Sequence, residues 1–415
     1  MNSSNDLGAP IGHSSLGREL DLFGSDPLIG AGLPYWLPAG AAIRSSVEDY
    51  VRGLEHRAGY SRVYSPVLAK RGLFEISGHL EHYREDMFAP IPDGEAELIL
   101  RPSLCPGHAL IYRSRSRSHR DLPLRLAELG PMFRHEPSGV LLGLSRVRSP
   151  QLNDAHIFAR PDQVAAEVDA VLDLIERAYR DLGISGHRYR LSLRGESDKY
   201  VDDAAMWDRG EQALAAVLDR RGLEYESASG EGAFYGPKID VQIVDPAGRE
   251  STLSTVQLDY FQPRRFDLAY LDAEQHRKQP VMIHRSIVGS MERLVAHLID
   301  IHQGAFPAWL APVQVVVMPI GDDQLPAAGA LLDRLLDADL RAEIAGPDRG
   351  SLGARIRSHR RVPYLAVIGG REAADGLVSL RSRGSGEHEP LPVAVAVDRV
   401  VHTVRSRARM SPASG

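Results

Sequence analysis

Apolar side chains at Ile43, Val47, Tyr50, Val51 and Leu54 recur at the spacing that places one face of a long helix, residues 41–59, against a core. Residues 16–23 repeat that spacing over a shorter run. From 60 to 68 the pattern changes to alternation through Val63 and Val67, which predicts a strand, and Pro66 confines it to a sheet edge or a subunit boundary. Further strands are predicted over 97–101, 126–135, 142–148 and 151–159, with Pro137, Ser138 and Gly139 turning a hairpin. Helices follow over 161–182 and 203–222. Strands over 238–244 and 254–260 pair about a turn at 245–248, and a helix over 288–303 begins after a glycine.

Near Ala311 the rhythm changes. A continuous apolar strand over 313–318 is followed by a helix (325–338), a strand (341–344), a helix (352–360) and a strand (364–368). Alternation of this kind predicts a small α/β domain with a largely parallel sheet. The expected layout is a loose segment 1–14, an α+β domain with an antiparallel sheet over 15–310, an α/β domain over 311–406 and a loose tail 407–415.

The bulk numbers narrow the class. The 415 residues are 43% hydrophobic and 25% charged, the mixture of an ordinary globular protein. No apolar run approaches the roughly 20 residues that cross a bilayer, and the first residues lack the pattern of a signal peptide. One cysteine excludes an internal disulfide and fits a reducing cytoplasm. A net charge of -6 argues against generic charge-driven binding of nucleic acid, though not against docking on one basic face.

That cysteine, Cys105 in Arg-Pro-Ser-Leu-Cys-Pro-Gly-His, and two histidines, His156 in Asn-Asp-Ala-His-Ile-Phe and His284 in Val-Met-Ile-His-Arg-Ser, form a set that zinc favours. Three protein ligands leave a fourth position open to substrate. Each residue taken alone also fits an ordinary core or surface position. Arg134, Arg146 and Arg148 flank a predicted hairpin, and Arg293 sits in the first turn of a helix after Gly289. Guanidiniums beside a helix N-terminus suit phosphate recognition, although solvated arginines on a hairpin give the same pattern.

Together with Pro66 after a long helix, these stretches resemble the three signature motifs of class II aminoacyl-tRNA synthetases. Arg-His-Glu-Pro-Ser-Gly (134–139), Asp-Ala-His-Ile-Phe (154–158), Gly-Glu-Gly-Ala-Phe-Tyr-Gly-Pro-Lys (230–238), Thr-Val-Gln-Leu-Asp (255–259) and Pro-Val-Met-Ile-His-Arg-Ser-Ile-Val-Gly-Ser-Met-Glu-Arg (280–293) are similar to threonyl-tRNA synthetases, from about Leu16 to about Arg405. The resemblance implies a class II catalytic fold followed by an anticodon-binding domain, and threonine–tRNA ligase activity in a homodimer joined near Pro66. It implies one zinc ion per subunit on Cys105, His156 and His284, magnesium accompanying ATP, and L-threonine and tRNA(Thr) as partners. Asp154 would accept the substrate hydroxyl's hydrogen bond and Tyr235 would pack beside the amino acid. Arg134 would contact the α-phosphate, Glu136 the adenine amino group, and Arg146 and Arg293 the β/γ end. Lys238 and Gln257 would support the carboxylate and α-phosphate. His79 would serve the second step, where the ribose hydroxyl attacks the adenylate, and an ordinary histidine pKa near 6.5 suits a base there.

The chain also departs from the pattern. Bacterial family members begin with ubiquitin-like and editing domains that do not fit before Leu16, so serine is expected to be activated without correction. Near the pocket, Ser103 and Leu104 precede Cys105, residues 251–254 read Ser-Thr-Leu-Ser, and Phe261 and Gln262 are bulkier or more polar than usual. In the α/β domain Arg355 and Arg357 fit the pattern, while Pro319 and Arg349 mark changed surroundings. These changes leave room for a specialised paralogue, tuned against an inhibitor or toward a modified β-hydroxy amino acid. An adenylate-forming enzyme serving a carrier other than tRNA and a silent RNA-binding relative are rivals that His79 and the arginine set disfavour.

Overall fold

The structure, a computed structural model, describes residues 12–385 and 388–408. These divide into two compact units. One comprises Ser25–Pro34 and Glu48–His297. The other comprises Tyr35–Val47 with the described parts of Met1–Gly24 and Leu298–Gly415. Among the described residues no helix is long and apolar enough to cross a membrane.

The first unit is built on an eight-stranded sheet. Its strands are β1 (Ser61–Arg62), β2 (Leu124–Pro131), β3 (Gln151–Ala159), β4 (Arg188–Leu193), β5 (Tyr225–Ser229), β6 (Lys238–Val244), β7 (Glu250–Asp259) and β8 (Val281–Ser286), in the spatial order β5-β4-β6-β7-β8-β3-β2-β1. The five central pairings are antiparallel and the two edge pairings parallel. Helix α1 (Val164–Leu182) buries Val168, Val171, Leu172, Ile175 and Tyr179, one stripe at helical spacing. Helix α2 (Ala204–Arg220) is capped by Asp203, whose carboxylate accepts from Met206 N.

Four local expectations need correction. The strand over 60–68 is reduced to Ser61–Arg62 and to Leu68–Lys70 of a separate small sheet, with Pro66 between them. The strand over 126–135 stops at Pro131. Residues 142–148 make no strand beyond an isolated bridge between Leu142 and Arg146. The chain still returns alongside itself, since Met132 N donates to Pro150 O and Arg134 N to Arg148 O. Pro131 and Pro137 supply no N–H, and Gly143 adopts positive φ, so a regular ladder does not form. The segment 1–14 was expected to be loose, yet a helix begins at His13 (His13–Glu19). Residues 1–11 and 409–415 of the two expected tails lie outside the described residues.

In the second unit a five-stranded sheet runs in the order Ala342–Ile344, Val315–Pro319, Tyr364–Ile368, Leu377–Ser382, Glu389–Pro392. Two pairings are parallel and two antiparallel, so the sheet is not largely parallel. Val315–Pro319 is apolar throughout because both its faces are covered. Val315 and Val317 face one cluster with Leu331 and Leu335, and Val316 and Met318 face another with Leu365. The helix Val393–Ser406 closes this core with Ala396 and Val400. Arg355 is buried, and its guanidinium donates to the carbonyls of Pro319 (2.8 Å) and Ala345 (2.7 Å), so it braces this unit rather than presenting charge to a nucleic acid.

Candidate active site

Strand register assembles the site. Ser192, Lys238, Gln257, His284, His156 and Leu126 are successive partners across β4, β6, β7, β8, β3 and β2. Residues directly opposite in an antiparallel ladder point to the same face, and so do residues two apart on one strand. Asp154 and Glu128, themselves partners, therefore share the face of His156. Arg285 and Asn153 lie on the reverse face, where both donate to Glu55 of the helix Pro38–Arg57 (2.8 and 2.7 Å).

Cys105 opens the helix Cys105–Arg113, which packs Cys105, Ala109 and Tyr112 against Phe158 and Met282. One donor atom each from Cys105, His156 and His284 lies within 4.8 Å of the other two, and all three residues are buried. The surrounding hydrogen bonds fix the tautomers. Glu128 Oε2 accepts from His108 Nε2 (3.2 Å), which leaves His108 Nδ1 as the acceptor for His156 Nδ1–H (2.8 Å). Asp259 Oδ2 accepts from His284 Nε2–H (2.8 Å). The lone pairs of His156 Nε2 and His284 Nδ1 then face each other at 3.0 Å beside the only thiol of the chain. Two lone pairs facing each other beside a sulfur offer donors to a cation, and imidazoles held by carboxylates are the usual setting of a bound metal. The donor set fits zinc.

Burial governs the acidities here. It pushes the Cys105 thiol up, and with neighbouring histidines it pushes His156 far down. It also raises the Asp154 carboxyl to about 7, and Asp154 Oδ2 lies 3.8 Å from His156 Nε2. Tyr235 stacks on the His284 ring (centroids 4.5 Å apart, 17° between planes) and donates to Gln257 Oε1 (2.6 Å). Its placement depends on Gly236, where a Cβ would lie 2.0 Å from Leu258 O.

A cluster of guanidiniums forms the second part of the site. Arg293 donates to Ser145 O (3.1 Å) and Thr252 O (2.6 Å). Burial, then the charges of Arg134 and Arg146, work against its own charge and lower its pKa. The buried Nε of Arg134 has no partner, while its guanidinium lies over the Tyr83 ring at 5.9 Å. Guanidiniums that repel one another, one of them with an idle buried donor, make a receptor for an anion. Gly289 fixes the start of the Arg293 helix: its φ is +68°, and a Cβ there would lie 2.4 Å from Leu253 O. Arg134's charge reaches both His79 and Tyr235, which ties the anion side to the metal side.

Several expected residues are engaged differently. Arg146 pairs with Glu136 (2.7 Å), so the two residues expected to hold opposite ends of ATP hold each other. Lys238 lies on the site's face, but its Nζ is on Asp240 Oδ2 (2.7 Å). His79 is no ordinary histidine. Its Nδ1 is 2.8 Å from Ser77 Oγ and its Nε2 is 2.8 Å from Ser103 Oγ. Burial, then His284 and Arg134, lower its pKa to about 3. The expectation of a base with a pKa near 6.5 is corrected accordingly.

Sequence reading assigned no role to His108, Glu128 and Asp259, and it marked Gln262 only as a departure near the pocket. His108 had a signal: it stands three residues after Cys105 at the start of a helix, hence on the same face.

Comparison with known proteins follows the same division. A model of the tRNA synthetase class II core domain (G, H, P, S and T) matches residues 88–302, and an anticodon binding domain model matches 314–407. The threonine–tRNA ligase of Pediococcus pentosaceus is 45% identical over 403 residues, covering 96% of this chain and 62% of that protein. That of Listeria monocytogenes is 46% identical over 398 residues, covering 94% and 62%. The chain thus spans 62% of the length of these curated relatives. A crystal structure described as the RNA binding domain of threonyl-tRNA synthetase from Cryptosporidium parvum superposes with a TM-score of 0.89 at 34% identity, over 97% of this chain and 99% of that one. The chain belongs to the threonyl-tRNA synthetase family. The family's class II core therefore holds the histidine pair, Cys105 and the arginine cluster in its central sheet and adjoining loops.

Proposed function

We propose that this chain activates L-threonine with ATP to threonyl-adenylate and transfers the threonyl group to tRNA(Thr). The observation that carries this reading is the convergence of Cys105, His156 and His284, braced by Glu128 and Asp259, beside guanidiniums of which one has a buried idle donor. Cys105 Sγ, His156 Nε2 and His284 Nδ1 would hold zinc, which when bound supplies a Lewis acid for the substrate's amino and hydroxyl groups. Asp154 accepts the hydroxyl's hydrogen bond and Tyr235 walls the amino acid. A site that engages a hydroxyl rejects valine far more strongly than an apolar pocket would.

Arg134 and Arg293 neutralise charge that builds on the α-phosphate and the departing pyrophosphate, with magnesium accompanying the nucleotide. Nucleotide binding would separate Arg146 from Glu136, releasing one for the phosphates and the other for the adenine amino group. In the second step the ribose hydroxyl attacks the adenylate carbonyl. His79 Nε2 takes that proton only when Ser103 vacates it and the ring carries its own proton on Nδ1. An apolar recess of about 320 Å³ lined by Tyr64, Pro66, Leu68 and Leu110 adjoins the edge through which a second copy would dock.

Aminoacylation of unfractionated tRNA with labelled threonine tests the reading. The expected result is charging with threonine and none with valine. No charging with threonine, or equal charging with both, contradicts it.

A further inference from the structure

Two polar side chains converge on the one sulfur. Ser103 Oγ lies 3.1 Å and Gln262 Nε2 3.5 Å from Cys105 Sγ. Gln262 is wholly buried, and its Nε2 also donates to Asp259 Oδ2 (2.9 Å), the same oxygen that accepts from His284. The amide orientation follows from chemistry. Turned over, it would set its oxygen against a carboxylate and a sulfur, neither of which is a good donor. As it stands, Oε1 is buried without a partner. A buried idle acceptor ordinarily destabilises a fold, so the position is kept against a cost. The backbone N–H groups of Phe261 and Gln262 donate to Asp259 Oδ1 (2.8 Å each), which locks the turn that delivers the amide.

Ser103 is placed with similar definition. With Cys105 as a thiolate, the Ser103 hydroxyl donates to sulfur and accepts from His79 Nε2–H, and Ser77 must turn its hydroxyl from Phe74 O toward His79 Nδ1. With a thiol the same chain runs the other way, from Cys105 through Ser103 and His79 Nδ1–H to Ser77 and Phe74 O, so it is a thiolate at Cys105 that turns the Ser103 hydroxyl toward sulfur. His79 thus acts through Ser103 on the thiolate.

We propose that Gln262 and Ser103 are positioning residues that hold the Cys105 thiolate by N–H···S and O–H···S bonds, Gln262 linking it through Asp259 to His284. This rests on the zinc reading above. Both bonds draw electron density from sulfur. The thiolate becomes a weaker donor, the metal a stronger Lewis acid toward the amino and hydroxyl groups of its substrate, and two of the three ligands form one rigid frame. Positions 103 and 262 stood out in the sequence as polar departures beside the pocket, and this role accounts for both.

The test uses the full chain reconstituted with Co²⁺ in place of zinc, together with zinc affinity from chelator competition. Gln262→Leu and Ser103→Ala are each expected to move the thiolate-to-cobalt charge-transfer band to lower energy, and the double variant further. Gln262→Leu is expected to weaken zinc binding about 10-fold, because losing the link through Asp259 to His284 outweighs the gain in donor strength at sulfur. A merely structural role would not move the band. Should Gln262→Leu fail to fold, Ser103→Ala, which removes only a hydroxyl, decides the question by its band. A parent protein with a cobalt–thiolate band that both variants leave unchanged overturns the inference alone. A parent protein with no such band overturns the zinc reading as well.

Discussion

Nδ1 of His108 lies 2.8 Å from Nδ1 of His156, so two imidazoles share one proton, and Glu128 decides which of them carries it. Glu128 also accepts from Arg101 (2.9 Å) and from Ser65 N and Oγ (3.0 and 2.7 Å). Burial alone would raise its carboxyl, but the bonds from His108 and Ser65 and the charge of Arg101 outweigh burial and hold it below the ordinary range. A relay therefore runs from Ser65, beside Pro66, to the ring of His156.

Glu128→Gln is expected to remove the constraint on the His108 tautomer, since an amide can present either a donor or an acceptor. Zinc affinity should fall by about 10–100-fold, the range for partners that orient metal-bound histidines. Chelator competition on the purified variant checks this. An affinity equal to the parent's would remove Glu128 from the metal site.

Arg285 offers a contrast on the reverse face of the same strand. It is fully buried, lies over the Tyr60 ring at 4.1 Å and is paired with Glu55. Glu55→Ala would leave that charge without its carboxylate and should destabilise the fold by about 3–5 kcal/mol. Replacing both residues, as in Glu55→Leu with Arg285→Met, should cost less than Glu55→Ala alone. Denaturant unfolding of the single and double variants measures this, and zinc content per folded chain should stay constant.

Arg293 is held by two carbonyls and opposed by like charges, so its role is read as electrostatic. Arg293→Ala should lower the rate of ATP–pyrophosphate exchange by about 10²–10³, the typical effect of removing one preorganised donor to a developing charge. Arg146, with its side chain 48% exposed and already paired, should matter less when changed to alanine. Equal effects at the two positions would contradict this ordering.

A pH effect away from the site follows from His187, which packs edge-on against Tyr179 and Tyr189 with a buried Nδ1 that has no partner. Burial lowers its pKa from 6.5. Above 6.5 both folded and unfolded chains carry it neutral, and its contribution is fully present. Below 6.5 the unfolded chain takes the proton first, so stability is lost as pH falls toward the folded pKa. His187→Gln should flatten this part of the stability profile, seen as a smaller drop in Tm between pH 6.5 and mildly acidic buffer.

Much of this was legible in the sequence, and the rest was hidden for physical reasons. Helix 164–182 and strands 151–159, 238–244 and 315–319 carry strong periodicity or unbroken apolar runs, and they form close to where that pattern puts them. Cys105, His156 and His284 lie in long particular motifs and meet in space. The return segment 142–148 misled because alternation is a weak signal over seven residues, and nearby prolines and Gly143 override it. Arg188–Leu193 and Tyr225–Ser229 are polar enough to escape a hydrophobic pattern. The partners of the metal-facing histidines depend on strand register and on the turn after Asp259, which motifs do not reveal. His79 escaped for the same reason: its acidity is set by a burial that Ser-Gly-His does not announce.

Threonine-dependent ATP–pyrophosphate exchange, measured on protein stripped of metal and again after zinc is restored, tests the account most directly. Exchange should disappear with the metal and return with it, and valine should support it at least about 10⁴-fold less well than threonine. Full threonine activity in verified metal-free protein would contradict the claim that Cys105, His156 and His284 select the substrate through a bound ion.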